Sequence, residues 1–220
     1  MPPPITNFNK DDYTDKFVKD LYNENWQTYH FTHFRPKNMN FAKILLEMYN
    51  WESVVDFGCS IGSLLEVFMK AGKTIKGYEY CYEESLPSIK KIPGLENYIE
   101  FGDVSKDIDA GLNDASISIE VAEHIPTEYS ESLVKNLVTS TKELVIFTAA
   151  TPDQGGTGHI NCQKPSFWIN LFKKYNFEYD MDETANIRSK CIPTKDVNLN
   201  TFPHIWEHVY RNLMVFRKIK

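Results

Sequence analysis

Short apolar segments alternate with segments of helical periodicity along most of the chain. SVVDFG at residues 53–58 has the apolar run of a buried strand, and SLLEVFMKAG at 63–72 has helical spacing that Gly72 can end. The same alternation predicts strands in TIKGYEY, YIEFGD, SISI, ELVIFTAA, FEYD and NLMVFRKI, and helices in EESLPSIKKI, TEYSESLVKNLVTST and KPSFWINLFKKYN. Strands that alternate with helices predict an α/β fold with a mostly parallel sheet and helices on both faces.

The first fifty residues differ in character from the rest. Residues 1–10 open with three prolines, which predicts a flexible tail. Residues 11–50 carry apolar and aromatic side chains at helical spacing, with a break near Arg35 and Pro36, which predicts two or three helices. All of the predicted strands then fall within residues 51–220. We therefore expect a single domain with an N-terminal helical cap.

Composition and charge limit the classes of protein to which the chain can belong. The 220 residues are 42% hydrophobic and 25% charged, which is typical of a folded globular protein. The net charge of −6, without a block of basic residues, argues against a long nucleic acid as a partner. No apolar run approaches the roughly 20 residues of a membrane span, and the N-terminus lacks the pattern of a signal peptide.

The four cysteines are scattered and show no C-x-x-C spacing: Cys59, Cys81, Cys162 and Cys191. This usage fits a reducing compartment and predicts neither a disulfide framework nor a zinc site. We therefore expect a cytoplasmic protein, either a monomer or a homodimer.

The turn DFGCSIGS after the first predicted strand is the main candidate for a ligand site. In parallel sheets, ligands bind beyond the carboxyl ends of the strands, beside the first strand. Gly58 and Gly62 allow a tight turn and a close approach of the backbone to a ligand. The spacing of the glycines differs from the G-x-G-x-x-G of dinucleotide-binding turns, and Asp56 precedes the turn. A carboxylate there would repel a pyrophosphate, but it can accept hydrogen bonds from a cationic amino-acid group.

Further acids stand at the ends of the next predicted strands. Glu79 ends the second strand, where a carboxylate can accept hydrogen bonds from both hydroxyls of a ribose. Asp103 follows the third strand, where it or its backbone neighbours can meet an adenine amino group. Glu120 and Glu123 come at the end of the fourth. A single acid of this kind is usually a solvated charge, but acids at four successive strand ends indicate a binding site.

With these acids in order, the chain resembles the class I S-adenosylmethionine-dependent methyltransferases, a Rossmann-like family. The likeness rests on VVDFGCSIGSLLEVF, GYEYCYEES, FGDV and ISIEVAEHIP, in the family's order and spacing, and covers roughly residues 53–148. It implies a seven-stranded sheet with the last strand antiparallel, a methyltransferase domain over residues 51–220, and S-adenosylmethionine as the cofactor. The cofactor-binding residues that it implies are Asp56, Gly58, Cys59, Ser60, Gly62, Glu79, Tyr80, Asp103, Val104 and Glu120. Ser60 stands in place of the family's middle glycine, which is the one departure.

Methyl transfer to an alcohol gains from a general base beside the reacting methyl group. We expect this base at the ends of the fourth and fifth strands, and the candidate catalytic residues are His159, His124 and Asp153. His159 is favoured over His124 because it lies on a long loop rich in glycine, which suits a segment that approaches a substrate. We predict no metal site, since a metal-assisted variant that uses Asp153 has no paired-acid pattern to support it.

The acceptor is predicted from the aromatic content of the N-terminal segment. Tyr22, Trp26 and Tyr29 lie there among hydrogen-bonding groups, a mixture that suits a sugar ring and its hydroxyls. GHINCQKPSFWINLF is also similar to glycan- and small-molecule-modifying branches of the family. We expect O-methylation of a saccharide or another small polyhydroxylated molecule. One alternative is a nitrogen or phenolic oxygen acceptor, and another is a cofactor-binding regulatory module without catalysis. The spacing of the glycines in the turn disfavours a nicotinamide oxidoreductase.

Two short histidine patterns resemble metal-binding motifs. HIWEH at residues 204–208 matches the inverted zinc-protease pattern, which needs a helix and a distant third ligand. Pro203 and the strand-like NLMVFRKI leave little room for a helix, so we do not assign zinc to it. HFTH at residues 30–33 fits ordinary residues of an aromatic helix.

Overall fold

The computed structural model describes residues 15–191 and 207–219, so the predicted tail over residues 1–10 lies outside the described residues. The helices are α1 (Asp15–Leu21), α2 (Glu24–His33), α3 (Arg35–Met48), α4 (Ser63–Lys70), α5 (Tyr82–Ile89), α6 (Ser130–Thr139), α7 (Pro165–Lys173), α8 (Met181–Cys191) and α9 (Glu207–Asn212). The strands are β1 (Ser53–Phe57), β2 (Thr74–Glu79), β3 (Ile99–Phe101), β4 (Asn113–Ile119), β5 (Thr141–Thr148), β6 (Phe177–Tyr179) and β7 (Met214–Lys218).

The seven strands form one sheet in the order β3-β2-β1-β4-β5-β7-β6. The pairs β1–β2, β1–β4, β2–β3 and β4–β5 are parallel, and β7 enters antiparallel between β5 and β6. The prediction of a seven-stranded, mostly parallel sheet with an antiparallel last strand is confirmed. The chain runs outward from β1 to β3 on one side and from β4 to β5 on the other. The strand order therefore reverses between β1 and β4, which is where such sheets bind ligands.

Apolar side chains pack against both faces of the sheet. On one face, α3, α4 and α8 contribute Phe41, Phe68 and Ile187, all of them fully buried. On the other face, α6 and α7 contribute Leu137 and Trp168, which are also fully buried. Each such side chain stabilises the fold by roughly 1.5–3 kcal/mol through burial. None of the helices in the described ranges is long and apolar enough to cross a membrane.

The N-terminal segment forms three helices, within the predicted number. The side chain of Asn23 accepts hydrogen bonds from the N–H groups of Asn25 and Trp26 and so caps the start of α2. The break between α2 and α3 lies at Phe34, just before the predicted position. Pro36 lies inside the first turn of α3, where its missing N–H has no helical partner to lose.

Two helices near the C-terminus differ from the sequence prediction. The sequence pattern predicts no element over α8, where the apolar periodicity is weak; in the structure only Thr184 and Ile187 of that helix are buried. The start of α9 falls within HIWEH, where the sequence pattern predicts little room for a helix. Glu207 and His208 lie in α9, and His204 lies outside the described residues.

Candidate functional site

A cavity of about 360 Å³ opens at the carboxyl ends of β1, β2, β3 and β4. Its walls come from the glycine turn after β1, from the ends of the neighbouring strands, and from the first helices of the chain. Nine of the ten predicted cofactor-binding residues line it: Asp56, Gly58, Cys59, Ser60, Glu79, Tyr80, Asp103, Val104 and Glu120. The sequence motifs therefore converge on one cavity.

The turn after β1 depends on two glycines in the left-handed backbone region. Gly58 has a φ of 79°, and a Cβ there would lie 2.4 Å from Cγ2 of Val121. Gly62 has a φ of 72°, and a Cβ there would lie 2.4 Å from Cδ1 of Ile99. Neither position accepts a side chain without displacing a neighbour. Gly62 thus shapes the start of α4 and does not line the cavity, and its contact with the cofactor stays a prediction.

Ser60 also takes a left-handed φ, of 52°, although it carries a side chain. Its backbone N–H donates to Oε2 of Glu79 at 2.7 Å, and its hydroxyl donates to Oε1 of Gln27 at 3.1 Å. Oε1 of Glu79 accepts a second backbone hydrogen bond, from the N–H of Cys81 at 2.9 Å. The carboxylate of Glu79 therefore holds the glycine turn against the end of β2 and offsets the backbone strain at Ser60.

Asp56 lines the cavity without a hydrogen-bond partner. Its side chain is 1% exposed, and neither carboxylate oxygen is paired within the described part of the chain. Burial raises the pKa of Asp56 to about 8, and the nearby charge of Glu79 contributes to the increase. A buried carboxyl group that lacks a partner costs free energy. The site therefore favours a ligand that brings a positive charge or hydrogen-bond donors to Asp56.

The β2–β3 side of the cavity combines polar and apolar groups. The hydroxyl of Tyr80 donates to Oδ1 of Asp15 at 2.5 Å, which connects the end of β2 to α1. Asp103 accepts at Oδ1 from the N–H of Ser105 at 2.9 Å. Val104 is 8% exposed and presents an apolar surface next to this carboxylate.

Glu120, just after β4, is held by two amides that the sequence analysis did not single out. Its Oε1 accepts from Nδ2 of Asn212 at 2.9 Å, and its Oε2 accepts from Nε2 of Gln154 at 3.0 Å. Nδ2 of Asn212 also donates to Oε1 of Gln154 at 2.8 Å, which closes the network. Glu120 has a left-handed φ of 54°, a conformation that this network helps to maintain. No motif marks either amide, because they come from a loop and from α9, far apart along the chain.

The helices α1 and α2 form one wall of the cavity, with Asp15, Val18, Tyr22, Trp26, Gln27 and His30. The hydroxyl of Tyr22 lies 2.8 Å from Nδ1 of His124, and the ring of Tyr22 packs edge-on against that of Trp26. Gln27 is only 2% exposed although it is polar, and it pairs with Ser60 of the glycine turn. The predicted cap therefore contributes side chains to the cavity.

The three predicted catalytic residues lie at different positions relative to the cavity. His124 lines it. His159 packs edge-on against His124, with 4.8 Å between ring centroids, and does not line the cavity. Asp153 is exposed on the loop after β5 and does not line it either. The structure therefore brings the two histidines together, with His124 nearer to the cavity than the favoured His159.

Both histidines are neutral near pH 7. Burial lowers the pKa of His124 to about 3, with a contribution from repulsion by His159, and burial also lowers the pKa of His159. Nδ1 of His124 lies 3.1 Å from the carbonyl oxygen of Gly158, and Nδ1 of His159 lies 3.3 Å from that of Gln154. Because a carbonyl oxygen only accepts, these two contacts favour the tautomer with the hydrogen on Nδ1 and the lone pair on Nε2.

Glu123 lies beside this pair and is 0% exposed. Neither of its carboxylate oxygens has a hydrogen-bond partner among the residues that the structure describes. Burial raises the pKa of Glu123 well above its usual range, and the charge of Glu120 raises it further. One ligand atom from each of Glu123, His124 and His159 lies within 4.8 Å of the others.

Known proteins resemble the chain in structure rather than in sequence. No protein-family model matches the sequence, and no curated protein matches it either. The SAH-bound structure of magnesium protoporphyrin IX methyltransferase (ChlM) from Synechocystis PCC 6803 matches with a TM-score of 0.63 and 14% identity. This match covers 94% of this chain and 100% of the ChlM chain. With SAM bound, the same enzyme matches over 97% of this chain.

Two further methyltransferase structures match over most of the chain. The mitomycin 7-O-methyltransferase MmcR has a TM-score of 0.54 and 16% identity, over 82% of this chain and 54% of its own. The methyltransferase domain of bacterial CtHen1-CN has a TM-score of 0.54 and 16% identity, over 83% of this chain and 98% of its own. At such low identity the likeness lies in the fold. The chain therefore has the fold of the S-adenosylmethionine-dependent methyltransferases.

Proposed function

We propose that the protein is an S-adenosylmethionine-dependent methyltransferase that methylates a hydroxyl group of a small molecule. The observation that carries this proposal is a row of carboxyl groups at three adjacent strand ends that line one cavity: Asp56 in β1, Glu79 in β2 and Asp103 after β3. The fold supports the same cofactor, since ChlM has been crystallised with SAM and with SAH.

The parts of the cofactor meet matching groups along this row. The methionine ammonium group supplies the positive charge that the buried Asp56 lacks. Glu79 accepts one backbone hydrogen bond at each oxygen and keeps lone pairs for the two ribose hydroxyls. Asp103 accepts from the adenine amino group, and Val104 packs against the ring. The sulfonium methyl then lies towards Glu120 and His124.

The chain's contribution to the chemistry is alignment and the exclusion of water. A sulfonium methyl is already electrophilic, so an acceptor oxygen needs mainly to be held in line with it. The helical cap, which in the described residues is α1, α2 and α3, closes over the cofactor as a lid. His124, which lines the cavity, is the histidine that touches the acceptor, and His159 supports it from behind.

The acceptor is a small polyhydroxylated molecule, with a saccharide as the leading candidate. Aromatic rings suited to stacking on a sugar line the cavity at Tyr22, Trp26 and Tyr129, beside the hydrogen-bonding groups of Gln27 and His30. The name of MmcR, an O-methyltransferase, supports transfer to oxygen. A nitrogen or phenolic oxygen acceptor is the alternative.

Isothermal titration with S-adenosylhomocysteine (SAH), and with NAD for comparison, tests the cofactor. Glu79→Ala removes the ribose acceptors and should weaken SAH binding by ~1–3 kcal/mol, or roughly 5- to 150-fold. Glu52→Ala is the matched control, because Glu52 is exposed at the opposite end of β1, where it pairs with Lys73. Unchanged SAH affinity in folded Glu79→Ala, or tighter binding of NAD than of SAH, would overturn the assignment.

A methyl-transfer assay with labelled cofactor tests the acceptor. Pools of sugars, nucleotides, phenols and amines are offered separately, and we expect label in the sugar pool. Label confined to the phenol or amine pool would select the alternative acceptor. Tight SAH binding without label in any pool would make the protein a cofactor-binding module without catalysis.

A further inference from the structure

Beside the cavity, one carboxyl group and two imidazoles lie within coordination reach of one another. Glu123 and His124 follow β4, and His159 comes from the loop between β5 and α7. We propose that Glu123, His124 and His159 bind a divalent transition-metal ion that takes the acceptor oxygen as a further ligand. The role of the ion rests on the proposed methyl transfer, whereas its binding does not.

Glu123 is the first support for the site. Its side chain is 0% exposed, and both oxygens lack a hydrogen-bond partner among the described residues. Glu120 lies close enough to repel its charged form. A buried carboxylate with no partner and a like charge nearby is strongly disfavoured, and buried charges are normally paired or bind metals. A cation between Glu123 and the histidines removes that cost.

The orientation of the two imidazoles is the second support. Nδ1 of His124 faces the carbonyl oxygen of Gly158, and Nδ1 of His159 faces that of Gln154. Histidines that bind metals usually donate the hydrogen of their other ring nitrogen to a carbonyl or carboxylate oxygen. These contacts favour the tautomer with the lone pair on Nε2 in both rings, and Nε2 is then the nitrogen that would bind the ion.

The ligand set indicates the kind of ion. Two imidazole nitrogens and one carboxylate oxygen suit zinc, cobalt or iron, whereas magnesium and calcium prefer oxygen ligands alone. Bonds of about 2.0–2.1 Å place tetrahedral ligand atoms roughly 3.4 Å apart. The present limit of 4.8 Å means that the set must close by up to about 1.4 Å on binding.

The loop that carries His159 determines where its imidazole lies. Its imidazole packs directly against the backbone of Gly156, where a Cβ would lie 2.3 Å from both Nε2 and Cε1. Gly155 and Gly158 also lie in this loop. The absence of a side chain at Gly156 therefore allows the ring of His159 to lie where it does.

The position of His124 indicates what the bound ion would do in the reaction. Because His124 lines the cavity, the ion adjoins the end where the acceptor would lie. Coordination lowers the pKa of the acceptor hydroxyl, so that its proton leaves to water and an alkoxide remains. The alkoxide oxygen forms a bond to the methyl carbon while the carbon–sulfur bond breaks, and its electron pair goes to sulfur, which becomes the neutral thioether of SAH.

Titration with Co²⁺ tests the binding site directly. The full chain is stripped with EDTA and titrated with Co²⁺ by calorimetry and by visible absorption, and Zn²⁺ is then added in competition. We expect one Co²⁺ per chain, ligand-field bands of a tetrahedral site, and displacement by Zn²⁺. Glu123→Gln should weaken Co²⁺ binding by at least about tenfold, as should His159→Ala. His33→Gln is the matched control, since His33 is an exposed imidazole on α2 that stacks on Tyr29.

SAH affinity, measured on the same samples, separates this inference from the proposed function. It reports whether Glu123→Gln and His159→Ala are folded, and Asp56→Asn should weaken SAH binding at pH 8 while it keeps Co²⁺ binding. Co²⁺ binding without SAH binding in the wild type would support the metal site and contradict the methyltransferase assignment. SAH binding without stoichiometric Co²⁺ binding, or equal Co²⁺ affinity in the wild type and Glu123→Gln, would overturn the metal site.

Discussion

The hydroxyl of Tyr22 lies 2.8 Å from Nδ1 of His124, which joins α1–α2 to the end of β4 across 102 residues of sequence. His124 directs the hydrogen on Nδ1 towards Gly158, and the oxygen of Tyr22 shares it. Helix position and histidine orientation are therefore coupled. If the first helices open, His124 loses a contact that holds its ring in place.

Tyr22→Phe tests this coupling through the rate at which protease cuts residues 15–34. SAH should slow cutting in the wild type, because the cap closes over the bound cofactor. In Tyr22→Phe with SAH bound, we expect cutting to be roughly 2- to 10-fold faster, since one hydrogen bond contributes ~0.5–1.5 kcal/mol.

Tyr29→Phe serves as the control for that experiment. Tyr29 lies in α2, where its ring stacks on His33, so its loss of a hydroxyl leaves the contact with His124 intact. Equal cutting rates with and without SAH in the wild type would make the segment a fixed layer of the fold. Equal rates in Tyr22→Phe and the wild type would remove the contact from any role in closure.

Asp56 predicts a pH dependence of cofactor binding. Its pKa of about 8 in the unliganded protein means that it is mostly protonated at pH 7, with Glu79 and Cys59 as its ionisable neighbours. Pairing with an ammonium group requires the carboxylate, so binding releases a proton and affinity rises with pH up to about 8. Above that, the α-amino group of the cofactor, with a pKa of about 7.7–8.0, loses its charge. Titrations between pH 6 and 8, in buffers of different ionisation enthalpy, measure the released proton.

Asp56→Asn is the matching variant, because it removes the charge without breaking any hydrogen bond of the described chain. We expect affinity for the cofactor to fall at pH 8 and its rise between pH 6 and 8 to disappear. A rise of the same steepness in Asp56→Asn would assign the proton to Glu79 instead. A flat profile in the wild type would show that Asp56 is already ionised.

Gly58 and Gly72 form a matched pair for the turn after β1. Both have a positive φ, of 79° and 75°, so replacement by alanine strains both backbones, by roughly 1–2 kcal/mol. Only at Gly58 does a Cβ meet a neighbour, Val121, while nothing lies within 4 Å at Gly72. Gly58→Ala should therefore lower the free energy of unfolding by more than Gly72→Ala, and it alone should weaken SAH binding. Chemical denaturation measures the first quantity, and equal losses in the two variants would contradict the close approach to Val121.

The sequence was sufficient to predict the sheet and the residues on the cofactor side of the cavity, because both depend on local patterns. Apolar runs mark β1 and β2, and acids such as Asp56 and Glu79 fall at strand ends that a parallel sheet brings to one edge. Gly62 shows the limit of a motif, since its role is to pack near Ile99 rather than to line the cavity.

The acceptor side could not be predicted in the same way, because its contacts depend on tertiary structure. Gln154 and Asn212 carry no motif, and only the docking of α9 brings Asn212 to Glu120. The relative positions of His124 and His159 follow from the path of a loop, which periodicity does not specify. Glu123 stood next to His124 in the sequence, but only the structure shows that it is fully buried and unpaired.

The network around Glu120 also constrains the order of folding. Asn212 immediately precedes the segment that inserts as β7 between β5 and β6, and it lies 92 residues from Glu120. Closing so long a loop costs more entropy than pairing β1 with β2, so we expect the network to form late. In pulsed hydrogen exchange, the amide of Val215 in β7, which donates to the hydroxyl of Thr184 in α8, should become protected after those of β1, and simultaneous protection would contradict this order. A partly folded chain would then have Glu79 and the glycine turn in place before the carboxylate of Glu120 is held.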